Sequence, residues 1–176
     1  MYEQEKKRAI HLMILIYNTL FMTALIIGSV FLGWETAGAV LLFLGLVASW
    51  LMHITGKMPA SIRLWLYVIL TMLTFFFYGI HEAGIYELAP VMAVIILMYT
   101  VTEIQSFVRI CAVTYYVTMC YNFIFILGNP LKLPVHTVAR ILLHFVLVFI
   151  AERLAESMIQ RRRNEKKKMD EKIFQL

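Results

Sequence analysis

Three ionisable residues inside one apolar stretch are the first candidates for chemistry. His136, Arg140 and His144 recur every fourth residue, so a helix over residues 135–151 carries them along one face. At membrane depth an ionisable side chain costs at least about 2.5 kcal/mol on insertion scales, so each such residue invites a functional reading. Two readings stand side by side. The stripe either faces neighbouring helices and bonds to their backbone carbonyls, or it senses an anion, a small ligand or a proton. Arg140 lies about one turn inside the end of the stretch, close enough to snorkel outward. A second set, Glu35, His81, Glu82 and Glu87, falls on connections between apolar stretches. Carboxylates beside an imidazole suit a cation-binding or pH-responsive patch; otherwise these residues serve as ordinary polar ends of helices.

Other chemistries find little here. Cys111 and Cys120 are nine residues apart, on opposite faces of one helix, so they cannot pair, and no metal-ligand spacing is present. His53 and His136 fall near opposite membrane surfaces, which argues against a haem held between them. No nucleophile–base pair and no glycine-rich nucleotide box occurs, so neither a catalytic residue nor a cofactor is expected.

These residues need elements to hold them, and the composition says which. Hydrophobic residues make up 61% of the 176 and charged ones 15%, against roughly 45–50% and 25% in soluble domains. Residues 1–8 hold five charges, residues 152–176 hold thirteen, and the long middle holds nine. The pattern predicts an all-α integral membrane protein: a head at 1–8, a membrane bundle at 9–151 and a basic tail at 152–176. A stretch of about 20 apolar residues crosses the hydrocarbon. Six spans are expected, over 9–32, 37–54, 64–80, 88–102, 110–127 and 135–151. The first is too long for a signal-peptide core and lacks a convincing cleavage site. Gly56 with Pro59, and Gly128-Asn129-Pro130, mark turns between spans. Gly38, Gly45 and Ser49 lie near one face of the second span and suit close helix contact.

Lys and Arg set the orientation, because basic residues accumulate on the cytoplasmic side. With six spans, one side collects Lys6, Lys7, Arg8, Lys57, Arg63, Arg109 and the eight basic residues of the tail; the other collects Lys132 and Arg140. Both termini are therefore expected in the cytoplasm of a multi-pass protein of the cell membrane. Trp34, Tyr78, Tyr86 and Tyr121 fit one interfacial belt, and Trp50, Trp65 and Tyr99 the other.

The tail carries the strongest hint of function. No Gly or Pro separates it from the sixth span, and good helix formers fill it, so that span should continue into the cytoplasm as one helix. Ala155, Ile159, Met169, Ile173 and Leu176 follow a 4,3 spacing if Arg162 and Lys166 take the positions between them. Ile159, Met169, Ile173 and Leu176 are the expected seam of a parallel homodimer, and the basic run should attract anionic lipid. Glu103 and Arg109, six residues apart, are expected to pair locally across their loop. Six short-looped spans ending in Arg161-Arg162-Arg163-Asn164-Glu165-Lys166-Lys167-Lys168-Met169 resemble the N-terminal sensor module of bacterial histidine kinases. A similar layout precedes diguanylate cyclase domains. That resemblance implies signal transduction in a two-component system: a small-molecule or ion signal is relayed to a cytoplasmic output domain outside these residues, and through it to a response regulator. The phosphoacceptor pattern is missing, since His81-Glu82 is followed by Ala83-Gly84-Ile85. The alternative is a standalone six-helix membrane protein, such as a substrate-binding subunit of a vitamin-uptake transporter. The long charged tail suits that role poorly. No nucleic-acid partner is expected, for want of a basic folded domain.

Overall fold

The computed structural model describes residues 2–81, 86–126 and 134–174, with side chains from residue 8 to residue 172. Within them the chain is helical, with no strand. It divides into two compact units, Met1–Glu82 and Ala83–Leu176.

The first unit holds α1 (Tyr2–Leu32), α2 (Thr36–Thr55) and α3 (Ala60–Gly79). Their ends follow from local chemistry. Gly33, at φ 69°, takes the left-handed conformation that closes α1, and the Trp34 N–H donates to the Ser29 carbonyl at 2.9 Å. That six-to-one bond marks a Schellman cap. Gly56, at φ 63°, closes α2 in the same conformation. On α1, Ile14, Leu15, Met22 and Leu25 form a buried stripe at helical spacing, and α1 packs on both α2 and α3. Close approach of α2 to α3 depends on glycine. A Cβ at Gly38 would fall 2.1 Å from the Phe77 ring, and one at Gly45 would fall 2.7 Å from Leu70.

The second unit holds α4 (Leu88–Thr100), α5 (Gln105–Tyr121), a π-helical turn (Asn122–Ile126) that prolongs α5, and α6 (Val135–Phe174). Here α4 packs on α5 and α6, and α5 packs on α6. The unbroken α6 has 40 residues and is about 60 Å long at 1.5 Å per residue. Its buried edge runs through Thr137, Ile141, Val148, Ala151, Ala155 and Ile159.

Among the described residues, four helical stretches are long and apolar enough to cross a membrane: Arg8–Leu32, Thr36–Thr55, Ala60–Gly79 and Gln105–Ile126. By length and composition the chain is all-α with the makeup of a membrane protein. That measure supports four of the six expected spans. The expected fourth span, 88–102, shrinks to the 13 residues of α4, because the chain tightens at its end. Successive N–H groups of Val101, Thr102 and Glu103 donate to the carbonyls of Met98, Tyr99 and Thr100, the tighter bonding of a terminal 3₁₀ turn. Glu103 then adopts φ 59°. Conversely, α5 starts five residues earlier than expected and takes Arg109 into its first turns. The charged head is helical too, since α1 begins at Tyr2.

Exposure has a particular meaning in such a protein. Phe43, Leu44, Leu142, Leu143 and Phe149 are all at least half exposed, which suits faces turned to hydrocarbon. Asn18, Ser49, Thr71, Thr74 and Thr118 are buried, where helix neighbours can satisfy them.

Candidate functional site

In the second unit the polar residues of α6 separate into two groups. His136 and Arg140 are exposed and His144 is half-buried, so the stripe runs beside the buried edge of the helix and not within it. The Arg140 guanidinium lies 5.1 Å from the centroid of the Tyr86 ring, a cation–π distance. Further along, Glu156 is buried on the face that meets α5. It accepts from Arg109 Nε at 2.7 Å and from an Arg153 terminal nitrogen at 3.0 Å. Lys166 Nζ meets Glu103 Oε2 at 2.7 Å, and an Arg163 terminal nitrogen donates to the Glu103 carbonyl at 2.8 Å. The expected local pair of Glu103 with Arg109 is not formed. Each takes a partner on α6 instead, because the turn at Thr102–Glu103 directs Glu103 towards the tail helix.

Of the expected tail seam, Ile159 is fully buried within its own unit, and Ala155 with it. Met169 is exposed. Ile173 and Leu176 lie outside the described side chains.

At the far end of α1, the outer residues resolve only in part. His81 stacks on Trp34, with centroids 4.1 Å apart and planes 17° from parallel. Its Nδ1 donates to the Phe77 carbonyl at 2.7 Å, which fixes the tautomer. Glu35 is exposed at the start of α2. Glu87 belongs to the second unit, at the start of α4, and Glu82 lies outside the described residues.

The first unit contains a polar system that sequence reasoning passed over. Asn18 is buried at mid-helix. Its Nδ2 donates to the Tyr67 carbonyl at 3.3 Å, and its Oδ1 accepts from Thr71 Oγ1 at 2.8 Å. At the next residue of α1, the Trp50 indole N–H donates to Thr19 Oγ1 at 2.9 Å. The Tyr67 hydroxyl lies 3.4 Å from His53 Nδ1. Beyond it a cavity of about 550 Å³ opens among Arg8, His11, His53, Ile54, Gly56, Ala60 and Arg63. His11 is 4% exposed, and Arg63 is half-buried. One signal was available in the sequence. His11, His53 and Arg63 each fall near the end of an apolar stretch, and consecutive helices joined by short turns bring those ends together.

In the second unit, Cys111 is buried and Cys120 exposed, and both are free thiols. The Tyr115 hydroxyl is buried with no hydrogen-bond partner among the described residues. Compared with family models, curated proteins and solved structures, the chain shows no match.

Proposed function

We propose that the chain is the membrane input module of a signalling receptor, of the kind found in bacterial histidine kinases. In this reading α6 is the relay. It crosses the membrane with its first half and enters the cytoplasm with its second. The observation that carries the reading is the unbroken course of α6 from Val135 to Phe174, apolar at first and fully exposed from Gln160 to Lys172. A rigid helix passes on rotation or a shift between two discrete packings. Glu103 and Arg109 tie the second half of this helix to the α4–α5 turn and to α5. In this reading six helices cross the membrane, α4 as a short one, and both termini lie in the cytoplasm. The signal is a small molecule, an ion or the state of the bilayer. It acts at or beside His136, Arg140 and His144, and the receptor works as a parallel homodimer.

The test fuses Leu176 to the autophosphorylating core of a histidine kinase and inserts one to seven residues at the junction. Each residue turns an α-helix by about 100°. Phosphorylation in membrane vesicles should rise and fall with helical period and return near the starting level at seven residues. Activity indifferent to the length of the insert would overturn the relay.

A further inference from the structure

We propose that the cavity at the shared end of α1, α2 and α3 binds a phosphate group, carried either by a phospholipid headgroup or by a soluble phosphate. Its charged lining is of one sign. Arg8, His11, His53 and Arg63 contribute two guanidinium and two imidazole groups, and no carboxylate lines it among the described residues. The volume of about 550 Å³ lies within the usual range for small-ligand sites.

Two further features point to an oxyanion. The first turn of α3 opens at Ala60, which lines the cavity, and its preceding residue Pro59 supplies no side-chain cap. The leading N–H groups of a helix have no partner within it, and they favour an anion. Arg63 is also poorly satisfied by the protein. A terminal nitrogen reaches the His53 carbonyl only at 3.5 Å, and Nε is buried without an acceptor among the described residues. A guanidinium that close to membrane depth needs an acceptor, and a phosphate offers several in a geometry that matches its fork.

Position selects phosphate over a carboxylate ligand. The four residues lie at the first turns of α1 and α3 and the last turn of α2 within their membrane-crossing stretches, the level at which lipid phosphates reside. Exposed Ile54 on the same rim leaves an apolar flank for an acyl chain.

The experiment measures thermal unfolding of the full chain in dodecyl maltoside, which contains neither charge nor phosphate. One arm adds inorganic phosphate, with sulfate and chloride at matched ionic strength as references. The other adds short-chain phosphatidylglycerol, with phosphatidylcholine as reference. A ligand that binds only the folded state raises the midpoint in proportion to the logarithm of its concentration. At least one arm should show such a rise beyond its reference. The double variant Arg8→Gln, Arg63→Gln should weaken the apparent affinity about tenfold or more, as loss of charge-assisted hydrogen bonds implies. Neutralising Arg161, Arg162 and Arg163 in the tail should leave the rise intact. If the double variant does not fold, Arg8→Gln and His53→Gln singly should each lower the affinity. A rise with phosphate alone identifies a soluble phosphate, and one with phosphatidylglycerol alone identifies a lipid. No rise in either arm overturns the site, as does a rise that the cavity variants leave unchanged.

Discussion

Asn18 shows how one buried side chain organises a helix-packed core. Its amide links the backbone of α3 to the Thr71 hydroxyl, so two helices share one polar node away from water. Interhelical hydrogen bonds in membranes contribute about 0.6–2 kcal/mol. Asn18→Ala and Thr71→Val should each destabilise the fold by about that amount, read by SDS-driven unfolding in mixed micelles. Because both variants break the same Oδ1–Oγ1 bond, the double variant should cost less than the two singles together. Strict additivity would mean the bond contributes nothing. Arg140 belongs to the same scale. It rests on the Tyr86 ring at one end of α6. Arg140→Leu should leave membrane insertion intact while holding the kinase fusion in one activity state. A normal response from Arg140→Leu, with loss of response in Glu82→Gln or Glu87→Gln, would move the sensing site to the outer connections.

Among the elements, the α4–α5 turn is the most telling. Thr102 stabilises it with its own hydroxyl, which donates to the Tyr99 carbonyl at 2.7 Å and accepts from the Ile104 N–H at 3.2 Å. Glu103 follows at φ 59°, a conformation that costs a non-glycine residue roughly 1–2 kcal/mol. Its carboxylate meets Lys166 and its carbonyl meets Arg163, so the strained residue is the one that ties the turn to the tail. Two substitutions separate these roles. Glu103→Gly should relieve the backbone and cut the Lys166 tie; Glu103→Gln should cut the tie alone. A nitroxide label at Lys167 should become more mobile in both, whereas only Glu103→Gly should gain thermal stability. Unchanged label mobility would show that the tie does not hold the helix. Glu156 acts about two to three turns earlier. Its replacement by Gln leaves Arg109 and Arg153 without their shared carboxylate. It should therefore lower the unfolding midpoint more than Arg153→Gln, which leaves the Arg109 pair in place.

For the molecule as a whole, topology and assembly are the open measurements. The skew of basic residues predicts that a reporter fused after Leu176 reads cytoplasmic and one inserted at Asn129 reads external. An external Leu176 would undo the six-crossing reading and the relay with it. Assembly is tested in a background where Cys111 and Cys120 are replaced by Ser. There, Ile173→Cys should cross-link between copies far more efficiently than Lys172→Cys. Burial of Ile159 within its own unit shortens the available seam to the far end of the tail. Ile159→Cys should therefore cross-link poorly. Efficient cross-linking at Ile159 would show that the helix leaves its unit on dimerising.

Composition by itself determined the class of this protein. The density of apolar residues yields helices long and apolar enough to cross a membrane, with charge gathered at the two ends. Gly56 with Pro59 announced the stop of α2, because the left-handed cap is a local event that glycine accommodates best. Helical period alone placed His136, Arg140 and His144 on one face, and Cys111 and Cys120 on opposite ones. Tertiary structure decided what a period cannot contain. Arg109 meets Glu156 across 47 positions and Lys166 meets Glu103 across 63. The local alternative, Glu103 with Arg109, fails only because a short turn points the carboxylate elsewhere. The basic cavity is of the same kind. Its four basic residues come from three helices, and each looks ordinary until packing sets the rotation of all three. In an apolar chain almost any face can meet lipid, so hydrophobic pattern says little about which face turns inward. That choice is made by the few glycines and polar side chains that fit only one neighbour.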